Sequence, residues 1–342
     1  MRKLLNTLYV TTPEVYLGLD GENIVVKRDG ETLIRVPLHN LEAVVAFNYV
    51  GVSPALLRKC GEEQVSVSLF QGDKFCGRFV GQENGNVVLR KTQYRFSDDK
   101  EESLKIARNM ILGKVHNAKY VVDRALRDHA MQVDVLKLQN ASKVLKNSLK
   151  YIKETNDLDS LRGYEGEAAT VYFRVFDEFI LQDKENFRFT GRNKRPPLDR
   201  VNAMLSFVYL LLANECAGAA YSVGLDPYVG FLHRDRPGRQ SLALDIMEEL
   251  RCPVADRFVL NLINRHEISP GDFRETESRA VIMNDAARKV ILQKWQEAKQ
   301  ETIQHPFLKE KISAGLLPYA QAMLLARYLR GDLDAYPPYF KR

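Results

Sequence analysis

Two hydrophobic periodicities divide the chain. Up to about residue 95, apolar residues come in short β-branched runs separated by turn residues. Two such runs within Tyr16–Pro37 join through Asp29-Gly30, a hairpin signal. Further β-prone runs are Ala43–Val50, Val65–Phe70, Lys74–Val80 and Val87–Leu89, with turn signals at Gly72-Asp73 and Gly85-Asn86. Ser53-Pro54 through Gly61 predicts one short helix among them, with Ser53 capping it. From Leu104 the spacing becomes helical: Leu104, Ala107, Ile111, Val115, Ala118, Val122, Ala125. Helices are expected near Leu161–Leu181, Asp199–Ser222, Val254–Asn264, Asn284–Thr302 and Pro318–Leu329. The second of these is apolar nearly all round and reads as a core helix. The polar stretch Ser97–Ser103 marks the change. The expected fold class is α+β: a β-rich domain over residues 1–96, a linker at 97–103 and a larger α-helical domain over 104–342.

The 342 residues are 45% hydrophobic and 27% charged, which excludes disorder and leaves room for one large or two smaller cores. The four cysteines show neither CxxC nor zinc-finger spacing and read as buried thiols in a reducing compartment. Trp295 reads as a packing residue. No apolar stretch at the start is long enough for a signal peptide. The longest apolar run, Ala203–Ala213, is interrupted by Ser206 and too short to span a bilayer. A cytoplasmic protein without membrane contact is the expectation. The formal charge of +6 is a mild bias toward acidic partners, and its distribution says more. Between Arg188 and Arg200 five basic residues face one acid, a local net charge of +4. Arg188, Arg192, Lys194 and Arg195 are therefore candidate phosphate contacts on a strip stiffened by Pro196-Pro197. The region before Ser97 is nearly neutral and reads as scaffold or oligomerisation surface.

The densest candidate chemistry lies between Gly224 and Arg251. His233 falls on a loop between two bends, Asp226-Pro227 and Pro237-Gly238. Ser241 then opens an apolar helix carrying Asp245, Glu248 and Glu249. An imidazole near several carboxylates suggests a metal site of mixed nitrogen and oxygen donors. Arg234, Arg236, Arg239 and Arg251 surround it and suit a polyanionic substrate. Upstream, Glu165 shares a helix face with Leu161, Ala168, Ala169 and Tyr172, an unusual place for a carboxylate. The same residues also fit a hydrogen-bonded core histidine, a solvated acidic face and a glutamate paired with a core arginine.

Several ordered motifs carry a resemblance: Tyr164-Glu165-Gly166 with Ala168-Ala169 and Tyr172-Phe173; Arg195-Pro-Pro-Leu-Asp-Arg-Val-Asn; Gly224-Leu-Asp-Pro-Tyr-Val-Gly-Phe-Leu-His233; and Ser241-Leu-Ala-Leu-Asp-Ile-Met-Glu-Glu-Leu-Arg251. Together they resemble the CRISPR-associated endonuclease/integrase that inserts spacers into CRISPR arrays, and both chain ends look like its subtype I-C branch. The resemblance implies a homodimer formed through the β domains and a complex with a small ferredoxin-like Cas partner. It also implies action on DNA with duplex, forked or partly single-stranded ends and on the CRISPR repeat. Its metal ligands fall on Glu165, His233 and Asp245, for Mg²⁺ or Mn²⁺, with Glu249 as a candidate supporting group. Two other activities use the same residues: a DNA-binding scaffold without catalysis, and a structure-selective nuclease or resolvase that only cuts.

Overall fold

The structure is a computed structural model that describes residues 6–47, 49–71, 74–81 and 87–342, with Lys74 described by its backbone alone. The turn signals at Gly72-Asp73 and Gly85-Asn86 lie outside the described residues. The chain forms two compact units. The first comprises residues within 1–84 together with 288–301 and 313–316, and the second holds the remainder.

The first unit contains two four-stranded sheets. In one, β2 (Tyr16–Asp20), β3 (Asn23–Arg28) and β4 (Glu31–Pro37) form an antiparallel meander, and β6 (Gly51–Val52) adds parallel to β2. In the other, β1 (Thr7–Val10), β5 (Ala43–Phe47) and β7 (Ser66–Gln71) run parallel, and β8 (Lys74–Phe79) closes it antiparallel. The predicted hairpin is present. Asp29 and Gly30 both adopt positive φ (51° and 86°), the backbone a two-residue turn needs to match strand twist. Ser53 caps α1 (Pro54–Glu62) by accepting from the Leu56 N–H at 3.1 Å. Leu17, Ile24, Val44, Val67 and Leu56 meet in one core fed by both sheets and the helix. Trp295 is buried, as its packing role requires. Its helix, α9 (Asp285–Gln300), joins this unit from Arg288 onward, although periodicity alone groups it with the other helices.

The second unit is mainly helical. α2 (Val87–Asp98) begins where the sequence suggests another strand. The valines at 87 and 88 are exposed, and the face that counts is Leu89 and Gln93, four apart and buried. Residues 97–103 are no linker, because α2 runs to Asp98 and Asp99 caps α3 (Lys100–Asp128) by accepting from the Glu101 and Glu102 N–H groups at 2.8 and 3.1 Å. α3 packs against α4 (Val135–Glu154), α5 (Leu158–Arg174) and α7 (Ser241–Leu250). α6 (Arg200–Ser222) runs past Asn214-Glu215. It is long and apolar enough to cross a membrane by length and composition, and most of it is buried within the protein. A six-residue π-helical segment, Arg251–Asp256, leads into α8 (Arg257–Asn264). Two small sheets, β9 (Phe273–Glu275) with β10 (Val281–Met283) and β11 (Thr302–Gln304) with β12 (Lys311–Ser313), precede α10 (Leu317–Leu329). Cys60, Cys216 and Cys252 are buried free thiols, whereas Cys76 is exposed.

The C-terminal tail is tied down by Glu249. This fully buried carboxyl accepts from the Tyr336 hydroxyl, from the Tyr339 N–H at 2.6 Å and from the Gln321 amide at 3.0 Å. Burial pushes its pKa up to about 8 although those hydrogen bonds oppose the rise. Glu249, the candidate supporting group, thus faces and anchors the tail. Glu249→Ala should strand these donors and cost on the order of 3 kcal/mol in urea unfolding. Glu249→Gln keeps an acceptor and should cost markedly less. Limited proteolysis should release the tail only in the alanine variant.

Candidate active site

Three elements bring the charged side chains together. α3 contributes Lys114, α5 contributes Glu165, and α7 contributes Glu248. The Lys114 ammonium bridges both carboxylates: it pairs with Glu165 Oε1, and with Glu248 Oε2 at 2.6 Å. Glu248 also accepts from Arg251 Nη1 at 2.9 and 3.1 Å. Lys114 and Glu248 are buried, so each depends on its partners for stability. Burial alone would lower the Lys114 pKa, but Glu248 and Glu165 outweigh it and hold the ammonium above its ordinary value. Burial likewise works to raise the Glu248 pKa. The charges of Arg251 and Lys114 prevail and hold this carboxyl well below the usual range.

His233 reaches the cluster on a loop fastened from three sides. From α2, the buried Gln93 amide donates to the Asp226 and Val229 carbonyls, both at 2.8 Å, and Ser97 Oγ donates to the Gly230 carbonyl at 2.7 Å. From α5, Arg162 donates through Nε and Nη2 to the Leu232 carbonyl at 3.0 and 2.8 Å. From α7, Asp245 accepts the N–H groups of Phe231 (2.7 Å), Leu232 (3.0 Å) and His233 (3.1 Å). Gly230 is required at the closest approach, since a Cβ there would lie 2.7 Å from Asp245 Oδ2 and 2.9 Å from Ser241 Cβ.

Asp245 also holds His233 Nδ1 at 2.5 Å. A carboxylate accepts there, so Nδ1 carries the proton and the Nε2 lone pair is directed outward. Of the expected trio, Asp245 is placed to hold the loop and His233. Asp245 is fully buried, and its oxygens are committed to three backbone N–H groups and the imidazole. The carboxylate that meets Glu165 is Glu248, three residues further along α7. Among the described residues, no three His, Cys, Asp or Glu side chains converge into a ready-made metal cluster. Yet two glutamate oxygens from different helices already face one cation, the Lys114 ammonium. Two hard oxygen donors and one imidazole are a donor set that suits a small divalent ion.

The expected phosphate contacts divide in two. Arg192 turns inward: its guanidinium donates to the Asn193 carbonyl, to Asn202 Oδ1 at 2.6 Å and to Ser206 Oγ at 3.1 Å, and lies 5.3 Å from the Tyr209 ring centroid. Arg251 is committed to Glu248 and lies 4.7 Å from the same ring centroid. Both guanidinium groups thus have inward partners, which compete with phosphate for the same donors. Arg188, Lys194, Arg195, Arg234 and Arg236 are exposed, and Arg239 is half-buried. Of these, Arg234 pairs with Asp159 at 3.0 Å. Desolvation and the charges of Arg251, Arg192 and Lys114 lower the Lys194 pKa.

A family model described as CRISPR associated protein Cas1 matches residues 8–297. The chain is 48% identical over 343 residues to CRISPR-associated endonuclease Cas1 1 of Chlorobaculum tepidum, covering 100% of both chains. It is also 48% identical to CRISPR-associated endonuclease Cas1 2 of Rhodospirillum rubrum, covering 99% of each. Among solved structures, a casposase bound to integration product shares the fold, with a TM-score of 0.83 and 22% identity over 99% of this chain and 95% of that one. The chain belongs to the Cas1 family of CRISPR-associated proteins.

Proposed function

We propose that the protein is a metal-dependent DNA endonuclease and integrase of CRISPR adaptation, with Glu165, Glu248 and His233 Nε2 as the ion's ligands. The observation that carries this reading is the sharing of one cation by two glutamates from different helices, beside a histidine whose tautomer is fixed. Two relatives across the full chain are named endonucleases, which supports the nuclease part.

When bound, a divalent ion would polarise a phosphodiester and stabilise charge on the leaving oxygen, with Mn²⁺ suiting the nitrogen donor better than Mg²⁺. The chain's residues do the rest. Glu165 and Glu248 supply oxygen donors, and Asp245 holds the imidazole in register without touching the ion. Arg251 keeps Glu248 ionised. Lys114 balances the carboxylates while no divalent ion is present and must shift aside when one enters. Lys194, Arg195 and Arg236, exposed near these groups or on the adjoining loops, offer phosphate contacts that position DNA without reading bases. With water as nucleophile such a site cuts, and with a 3′-hydroxyl it joins. Incubation with Mn²⁺, a short duplex, a plasmid bearing a CRISPR repeat and the small Cas partner tests the joining step. Covalent joining is expected. Cleavage without joining would leave only the nuclease, and DNA binding without either would leave the scaffold.

Assembly as a homodimer through the first unit is part of the same proposal. β4 is an edge strand whose Leu33 and Ile34 are 47% and 50% exposed. Exposed apolar side chains on an unpaired edge call for cover.

Glu165→Gln and Glu248→Gln should each lower Mn²⁺-dependent cleavage by about 100-fold or more and abolish the Mn²⁺-induced rise in Tm. Asp245→Asn should instead melt below wild type in chelator, because an amide nitrogen would face the Phe231 and Leu232 N–H groups, yet keep part of the Mn²⁺ response. A full Mn²⁺ response in Glu248→Gln would remove Glu248 from the ligand set. Separately, Leu33→Glu with Ile34→Glu should shift the protein toward monomer in light scattering, whereas an unchanged dimer would place the contact elsewhere.

A further inference from the structure

α4 contains an unexplained charge pattern. Lys143, Lys146, Lys150 and Lys153 follow one another at spacings of three, four and three, which places them along one ridge of the helix. The opposite face, with Leu138, Ala141, Leu145, Ser148 and Ile152, is buried, so the lysine ridge looks outward, and all four lysines are exposed. Among the described residues none of the four has an ion pair or side-chain hydrogen bond. The helix holds a single acid, Glu154, at its last position.

Lysines elsewhere on the helices behave differently. Lys105 pairs with Glu102, Lys119 with Asp123 and Lys294 with Glu297, each at helical spacing. Like charges three and four apart repel by about as much as such pairs attract, so the ridge carries a small stability cost that only an external anion relieves. An ordinary solvated face would intersperse acids, as those helices do.

A second observation lies at the C-terminal end of the ridge. The Tyr151 ring, 51% exposed, stacks on Tyr164 of α5 with centroids 5.8 Å apart and planes 20° apart. Tyr164 directly precedes Glu165. The aromatic pair thus connects the lysine ridge to the helix that bears a catalytic carboxylate.

We propose that the outer face of α4 is a track for the DNA phosphodiester backbone, ending at Tyr151 as a stacking platform beside the active site. This rests on the reading of the site as DNA-processing and adds a surface to it. Lys143 to Lys153 spans about 15 Å of helix, enough for roughly four successive phosphates of one strand. Ammonium groups on flexible stems neutralise phosphates without reading bases, so the track is sequence-independent. A tyrosine face accepts an unpaired base of any identity. The backbone on the track could belong to a duplex flank or to an unpaired end, and Tyr151 separates the two.

The test compares wild type with the Lys143→Gln, Lys146→Gln, Lys150→Gln, Lys153→Gln variant and with Tyr151→Ala and Tyr151→Phe. Glutamine is a good helix former at exposed positions, and thermal melts check that the fold is kept. Affinity is measured by fluorescence anisotropy at several salt concentrations, on a blunt duplex and on a duplex with unpaired 3′ ends. The quadruple variant should bind about 100-fold more weakly, and its log-affinity against log-salt slope should flatten by about three. Tyr151→Ala should weaken binding about tenfold only on the DNA with unpaired ends, with Tyr151→Phe close to wild type. Equal loss on both DNAs would overturn the stacking role. Unchanged affinity and slope in the quadruple variant, with wild type binding normally, would overturn the track. Failure of wild type itself to bind either DNA would instead overturn the functional reading on which the track rests.

Discussion

The buried charge chain Glu165–Lys114–Glu248–Arg251 is the constraint on which the second unit depends. Removing such charges from water is costly, and only close mutual pairing offsets it. The pairing exists only if α3, α5 and α7 hold their relative positions, because each supplies one member. An apolar cluster in the same place would be at least as stable. A cluster of this kind at the meeting of three helices is what a site built for function looks like, with stability given up locally for chemistry.

The short helix α7 divides its three acids among three tasks. Asp245 turns to the loop and fixes His233, Glu248 turns to Lys114 and Arg251, and Glu249 turns to the C-terminal tail. Asp245 and Glu249 share a face, yet four residues advance the helix by about 6 Å, enough to meet different partners. Positions 248 and 249, though adjacent, point about 100° apart. Their environments separate them as strongly as their directions: cations hold Glu248 well below the ordinary carboxylate pKa, whereas burial among neutral donors lifts Glu249 to about 8.

The same logic sorts the arginines. Arg192 knits the loop before α6 to Asn202 and Ser206, and Arg251 serves Glu248. Arg192 lies in a strongly basic stretch, so local charge density marks it as a phosphate contact while tertiary pairing gives it inward partners. The lysines of α4 show the reverse. They lie in no conspicuous basic loop, and their significance depends on all four facing outward beside α5.

Much of the architecture follows from sequence, since hydrophobic period, capping and turn chemistry act over a few residues. Asp29-Gly30 specifies its hairpin, Ser53-Pro54 starts its helix, and the order of strand-rich and helical regions is legible from periodicity and from the family motifs. The motifs around Glu165 and His233 likewise mark two residues of the candidate site. Their spacing alone does not say which acid of Asp245, Glu248 and Glu249 shares Lys114 with Glu165. That choice rests on where Lys114, Gln93 and Arg162 approach from distant parts of the chain, and on backbone N–H groups of the His233 loop that claim Asp245 first. Nor does local pattern place the segment Arg288–Glu301 with the strand-rich unit, or keep Val87–Leu89 out of a sheet. Helical or strand period is a property of neighbours in sequence. Partner choice for a buried charge is a property of neighbours in space, and only the folded chain decides it.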